Sequence, residues 1–198
     1  QEVIIMWFQA AGIAIMLAFY GCYFIKMISQ HKKGIKTDQI GKEKVGFVKF
    51  VEITMKVFTY LVPAVEIVSI ILNTSFFAVP VRIVGVLVAV VGVAVFIISV
   101  LTMRDSWRAG VSKTDKTELV TKGIYKISRN PAFLGFDLMY LGILLMFFNL
   151  VLFEVSLFAM LMFHLQIVNV EEEFLLEAFG DEYLRYKKKV CRYIGRKR

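Results

Sequence analysis

Two stretches constrain this chain more than anything else in it. Val3 to Ile25 is 23 residues without a charge, and Ile83 to Met103 is another 21. About 20 predominantly apolar residues cross the ~30 Å hydrocarbon core of a bilayer. A helix there satisfies its own backbone hydrogen bonds. The composition agrees: 58% hydrophobic, with a mean hydropathy of +0.68 over 198 residues, is too apolar for a soluble domain of this length. The first run is longer than a signal-peptide core and has no basic segment ahead of it, so it reads as a retained span.

A net charge of +8 raises the question of nucleic acid, but the distribution of charge answers it. All of the 24 Lys and Arg except Arg82 fall in three segments, Lys26 to Lys56, Arg104 to Arg129 and Arg185 to Arg198. These alternate with the apolar runs, which is the positive-inside pattern of cytoplasmic loops. No nucleic-acid partner is expected. Cys22 and Cys191 lie in the first span and the basic tail, too far apart to pair, and two histidines give no metal-ligand cluster.

Five spans follow from the remaining runs. Ala10, Ala14, Ala18 and Cys22 recur every four residues in the first and predict a helix-packing stripe. The second, Val57 to Leu72, contains Glu66 and Pro63, and its helix is expected to begin in the cytoplasm near Lys49. The third, Ile83 to Met103, carries Gly85, Ala89 and Gly92 as a second small-residue stripe. Ala132 to Val170 is 39 residues, enough for two spans joined by a turn near Asn149 to Glu154. The fold expected is therefore all-α and integral to the membrane. It has five transmembrane helices, a C-terminal helical hairpin and cytoplasmic amphipathic helices, with the N-terminus outside and the C-terminus inside. Beyond the last span, Gly180 predicts a stop, and Phe179, Tyr183, Tyr186 and Val190 share one face of a second short helix. Residues 1–103 supply the first three helices and a basic loop. Residues 104–198 supply a polar loop, the hairpin and the tail.

The chemistry concentrates in three short segments. "LVTKGIY" (119 to 125) precedes "SRNPAF" (128 to 133), and "EEEFLLEAFGDEYLRY" (171 to 186) follows the last span. In the second segment Asn130 is a favoured N-cap and Pro131 a favoured first helical residue, so the segment starts a helix. Arg129 beside it reads either as a snorkelling anchor or as an anion ligand.

Taken together and in order, the three segments resemble the isoprenylcysteine carboxyl methyltransferase and phospholipid methyltransferase family of membrane enzymes. Leu119, Val120, Gly123, Tyr125, Arg129, Pro131, Gly135, Glu171, Glu172, Leu175, Phe179, Gly180 and Tyr183 match its pattern. The resemblance covers roughly residues 100 to 193. It implies S-adenosylmethionine as methyl donor and S-adenosylhomocysteine as product. Arg129 and the helix start at Pro131 would meet the donor carboxylate. Glu171 and Glu172 would accept from its ribose or ammonium, and the backbone of Leu119, Val120, Gly123 and Tyr125 would frame its adenine. Four positions depart from the pattern: Asn130 replaces a His, Phe133 a Tyr, Ile167 an Arg and Gly195 a Pro. No GxGxxG motif is present, as expected for a chain with no room for a Rossmann domain.

Glu66, Asp137, His164, Gln166 and Asn169 fall inside apolar stretches, where an ionisable group normally pairs or lines a cavity. Asp137 lies two turns into the fourth helix, and His164 is seven residues before Glu171, on the same face of a regular helix. With Arg129 and Asn130, these two are the candidate catalytic residues. A carboxylate acceptor needs no base, whereas an amine or thiol gives His164 or Asp137 a proton to take. Trp107 reads first as an interfacial anchor and second as a wall of the donor pocket. The expected acceptor is a membrane lipid or lipidated molecule entering from the bilayer: a prenylcysteine-type carboxylate, or alternatively a phospholipid amine. A non-enzymatic membrane adaptor or transporter is the remaining alternative, and it leaves the three ordered segments without a use.

Overall fold

The computed structural model describes residues 2–40, 45–110 and 118–197, so the basic-loop lysines Lys42, Lys44, Lys113 and Lys116 lie outside the described residues. Among the described residues six α-helices follow one another: α1 (Glu2–Lys32), α2 (Gly46–Ile71), α3 (Val79–Met103), α4 (Pro131–Met146), α5 (Leu150–Gln166) and α6 (Glu172–Lys189). The fold is all-α and integral to the membrane. Among the described residues four helical stretches, beginning at Glu2, Gly46, Val79 and Leu150, are long and apolar enough to cross a bilayer. The fourth continues past α5 into the charged α6, which we read as lying outside the membrane.

α4 has only 16 residues, about 24 Å of helix at ~1.5 Å per residue. It tolerates this shortness because it is sheathed by α3 rather than by lipid. The small-residue stripe of α3 does the work expected of it: Gly85, Ala89 and Gly92 are buried and face Gly135 and Gly142 of α4. A Cβ at Gly92 would stand 2.5 Å from the Met139 nitrogen and 2.8 Å from the Gly135 oxygen. Backbone touches backbone here, as small-xxx-small packing allows in a bilayer where burial alone does not drive association.

The stripe expected on α1 faces the other way. Ala10, Ala14 and Ala18 are exposed to the lipid side, and Cys22 is only half-buried. α1 packs instead through Phe8, Gly12, Ile15, Met16 and Phe19. The reason is aromatic bulk: Phe19 meets Phe96 of α3 at 4.4 Å and Phe136 of α4 at 4.7 Å between ring centroids. Large rings meshing at three helices bury more area than methyl-lined ridges.

The α4–α5 turn is tighter than expected, occupying Phe147 to Asn149, with α5 starting at Leu150. Asn149 is its N-cap: Oδ1 accepts from the Leu152 N–H at 2.9 Å. Its Nδ2 donates to the hydroxyls of Ser69 and Thr74 at 2.8 and 3.0 Å. One side chain thus ties α2 and the α2–α3 turn to the hairpin. Asn149→Ala removes the cap and both ties and is expected to lower stability by about 1–2 kcal/mol, read as a fall in the melting temperature in detergent.

Arg82, the one basic residue outside the three segments, is buried near the start of α3. It donates to Asn73 Oδ1 at 2.7 Å and lies over the Phe8 ring at 4.1 Å. Gly180 bends α6 without ending it, through φ 47°, so the stop expected there is a kink. The face beyond it behaves as its spacing implies. Tyr183, Tyr186 and Val190 form a small core with Leu119, Leu175 and Phe179 partly buried against it, so this half of α6 docks on the protein.

Candidate active site

The three segments singled out by sequence meet at the head of α4. Arg129 is buried and ion-pairs with Glu172 through Nη2 to Oε1 at 3.0 Å, across 43 residues of chain. The rest of the guanidinium is used as well: Nη1 donates to the Tyr183 hydroxyl at 2.7 Å and Nε to the Val190 carbonyl at 3.1 Å. Arg129 is no surface anchor. It is the centre of a polar cluster held by residues from α6 and the segment that follows it.

Glu172 is held by three cations. Besides Arg129, Arg192 Nε donates to Oε1 at 2.7 Å and Lys187 Nζ to Oε2 at 2.8 Å. Burial works to raise its pKa, but the hydrogen bonds from Arg192 and Lys187, with the Arg129 charge behind them, prevail and hold it at about 2. Three cations around one carboxylate leave a surplus of positive charge, which suits an anionic group brought in from outside.

The "LVTKGIY" segment lies against the same cluster. The Tyr186 hydroxyl donates to the Tyr125 carbonyl at 2.6 Å, and Leu119 packs on the Tyr183–Tyr186 core. Burial pushes the Tyr125 phenol up, with smaller contributions from Tyr186 and the Glu171 carboxylate. Gly123 has φ +59°, a conformation favouring glycine, and its open face rests on Thr102 of α3. Val120 is half-buried nearby in sequence, with no polar partner of its side chain to offer.

Asn130 occupies the N-cap position before Pro131 but does not cap. Its Nδ2 donates to the Arg192 carbonyl at 3.1 Å, and its backbone N–H donates to the same oxygen at 3.2 Å. The adjacent Arg129 N–H donates to Cys191 O at 3.1 Å. The C-terminal tail therefore lies across the head of α4, and Asn130 fastens it. The side-chain amide is turned to the tail, where it joins the backbone N–H on one carbonyl, and so is not used as a cap.

His164 of α5 also meets this tail, and Asp137 of α4 lies within electrostatic reach of its Tyr193. His164 Nδ1 is 2.7 Å from the Tyr193 hydroxyl, with the rings stacked at 20°. His164 and Glu171 do not keep the shared face expected of them. Ile167–Glu171 is a π-turn, wider than the α-helical repeat, and it rotates Glu171 off that register. Asp137 Oδ1 is buried without a hydrogen-bond partner. Trp107 is buried, packing edge-on to Tyr23 and Phe96, so it is no interfacial anchor. It lines a small cavity of about 70 Å³ with Ala132, Phe133 and Phe136 of α4. That cavity shares Tyr23, Ile40, Thr59 and Phe136 with an apolar cleft of about 620 Å³ between α1 and α2.

Sequence reasoning missed Arg192, Lys187 and Tyr193 as site residues. All three lie in the basic tail, whose charge reads as membrane-facing, and nothing in their spacing marks them as inward. Tyr183 and Tyr186 were visible as an apolar face but not as hydrogen-bond partners of Arg129 and Tyr125.

Comparison with known proteins places these features. Residues 80–182, from the start of α3 to the kinked half of α6, match the phospholipid methyltransferase family. The chain is 31% identical over 153 residues to protein-S-isoprenylcysteine O-methyltransferase of Saccharomyces cerevisiae, covering 76% of this chain and 62% of that protein. It is 39% identical over 82 residues to the Schizosaccharomyces pombe protein of the same name, covering 40% of this chain and 34% of that one. For the Rattus norvegicus protein the figures are 30% over 108 residues, 54% and 38%. The chain thus spans less than two thirds of the length of these relatives. The matched region contains the α3–α4 glycine seam, Arg129 and Glu172, and with them the chain belongs to the phospholipid methyltransferase family.

Proposed function

We propose that this chain is a multi-pass membrane methyltransferase that takes its methyl group from S-adenosylmethionine and delivers it to a lipid-like acceptor. The acceptor we favour is a carboxylate of prenylcysteine type, following the activity named in the relatives. The observation that carries the reading is the convergence of Arg129, Glu172 and the 119–125 segment on the head of α4. Residues 104–198 form the catalytic region in this reading, on the cytoplasmic side that the basic segments mark, with the N-terminus outside.

The residues present fit the donor. Its sulfonium supplies an activated methyl group for in-line displacement. The cationic surplus around Glu172 receives a carboxylate, with Arg129, Arg192 and Lys187 as the donors. Glu171 and Glu172 accept from ribose or ammonium groups, and Leu119 to Tyr125 present backbone groups to the base. Closure of the tail over α4 excludes water, which in methyl transfer matters as much as any single contact. The cleft between α1 and α2 and its narrow continuation past Phe136 lead from the lipid side toward Phe133, near the start of α4, and suit an apolar acceptor chain.

A second reading, methylation of a phospholipid amine, is favoured by one observation: Ile167 is fully buried in the π-turn, so no cation stands at that position to hold an acceptor carboxylate.

The test is calorimetric titration of the detergent-purified protein with S-adenosylhomocysteine, beside Arg129→Lys and Glu172→Gln. Micromolar binding by the parent that weakens at least tenfold in both folded variants is the expected result. A monodisperse parent that binds nothing overturns the methyltransferase reading.

A further inference from the structure

The tail beyond α6 is built into the molecule by specific bonds. Cys191 N–H donates to Gly195 O at 2.9 Å, and Gly195 N–H donates to Ile127 O at 2.8 Å. Arg192 is fixed through its carbonyl by Asn130 and through its guanidinium by Glu172. Tyr193 lies between these anchors, so its direction is set on both sides. It points its hydroxyl at His164 Nδ1, 2.7 Å away, with the two rings within 20° of parallel and their centroids 6.0 Å apart.

This geometry has a chemical consequence for the imidazole. A histidine with one ring nitrogen committed has its plane, and so the direction of the other nitrogen, fixed. Among the described residues, His164 Nε2 has no hydrogen-bond partner. The phenol stays protonated: burial pushes its pKa up, and the Asp137 carboxylate adds to that. Asp137 therefore lies within electrostatic reach of Tyr193, and its own buried Oδ1 is unpartnered. His164 comes from α5 and Tyr193 from the tail, directly after the Arg192 that holds Glu172, so the pair adjoins the Glu172 cluster; the neighbouring Phe163 lines the small cavity beside Phe133 and Phe136.

We infer that Tyr193 is a positioning residue: through its hydrogen bond to Nδ1 it aims His164 Nε2 at the polar head of the lipid-like acceptor. The inference rests on the methyltransferase reading and deepens it, since it separates an acceptor side of the site, held by Tyr193 and His164, from a donor side, held by Arg129 and Glu172. Fastening the tail thereby serves both sides at once, Arg192 toward the donor and Tyr193 toward the acceptor.

The experiment compares the parent, Tyr193→Phe, His164→Ala and the double variant, with S-farnesylated N-acetylcysteine as acceptor. Tyr193→Phe is expected to lower kcat/KM for the acceptor about tenfold, the loss of one hydrogen bond to a working group, with the affinity for S-adenosylhomocysteine unchanged. In the His164→Ala background it is expected to do nothing further. Equal loss in both backgrounds, no loss, or a parallel loss of donor affinity overturns the inference. A second measurement does not depend on turnover. The chain has two histidines, His31 and His164, so ¹⁵N-histidine NMR with His164→Ala for assignment isolates one ring. Tyr193→Phe is expected to shift its Nδ1 signal, and an unmoved signal overturns the inference even in an active enzyme. A parent that binds no donor and transfers no methyl group overturns the functional reading and the inference together.

Discussion

Glu172→Ala is expected to destabilise the protein by about 3 kcal/mol, because it leaves the Arg129 guanidinium buried and without its carboxylate. For a chain of this size that is a fall of about 10 °C in melting temperature, measured by thermal unfolding in detergent. Glu172→Gln keeps the shape and one acceptor oxygen, and its loss is expected to be smaller. The same carboxylate sets a pH dependence. Its folded pKa, about 2, lies below the ordinary value of 4.5. The stabilisation is therefore fully present above the ordinary carboxylate range and is lost as pH falls through that range toward 2. The acid limb of the stability profile should flatten in Glu172→Gln. A variant as stable as the parent, with an unchanged acid limb, contradicts the buried cluster.

Gly92→Val is expected to be at least as damaging, and for a reason unconnected with charge. The first atom of any side chain at Gly92 meets the α4 backbone at Met139 and Gly135, and the next neighbour is backbone too, the Leu138 carbonyl carbon at 3.0 Å. No rotamer relieves a clash with backbone, so α3 and α4 must separate and lose their contacts along the seam. Overpacking of this kind costs about 3 kcal/mol or more, and α4 carries Arg129 at its head, so donor binding should fall as well. Gly21→Ala is the control: a Cβ there meets nothing within 4 Å, and its melting temperature should not fall. Equal behaviour of the two variants would mean that the seam is not what holds α4.

The two predictions meet at one point of architecture. The short α4 is held along its length by glycine contacts with α3 and at its head by the tail and the Arg129–Glu172 pair. Stability and the proposed chemistry are therefore linked at the same helix.

The sequence by itself determined the membrane class, the gathering of basic residues into three segments between the apolar runs, and the α3 stripe. These are readable because they rest on length, on charge position and on short local patterns, each fixed by bilayer thickness or helix geometry. Tertiary structure decided the rest. It turned the alanine ridge of α1 outward because aromatic rings elsewhere on the helix made the better contact. It took Asn130 from its capping role by bringing the carbonyl of Arg192 within reach of its side-chain amide. It brought Tyr193 to His164 and Arg192 to Glu172 from a tail whose local pattern shows only charge. A run of basic residues is the same string whether it lies on lipid or folds inward. Only the carboxylate and the imidazole that receive it, far away in the chain, tell the two apart.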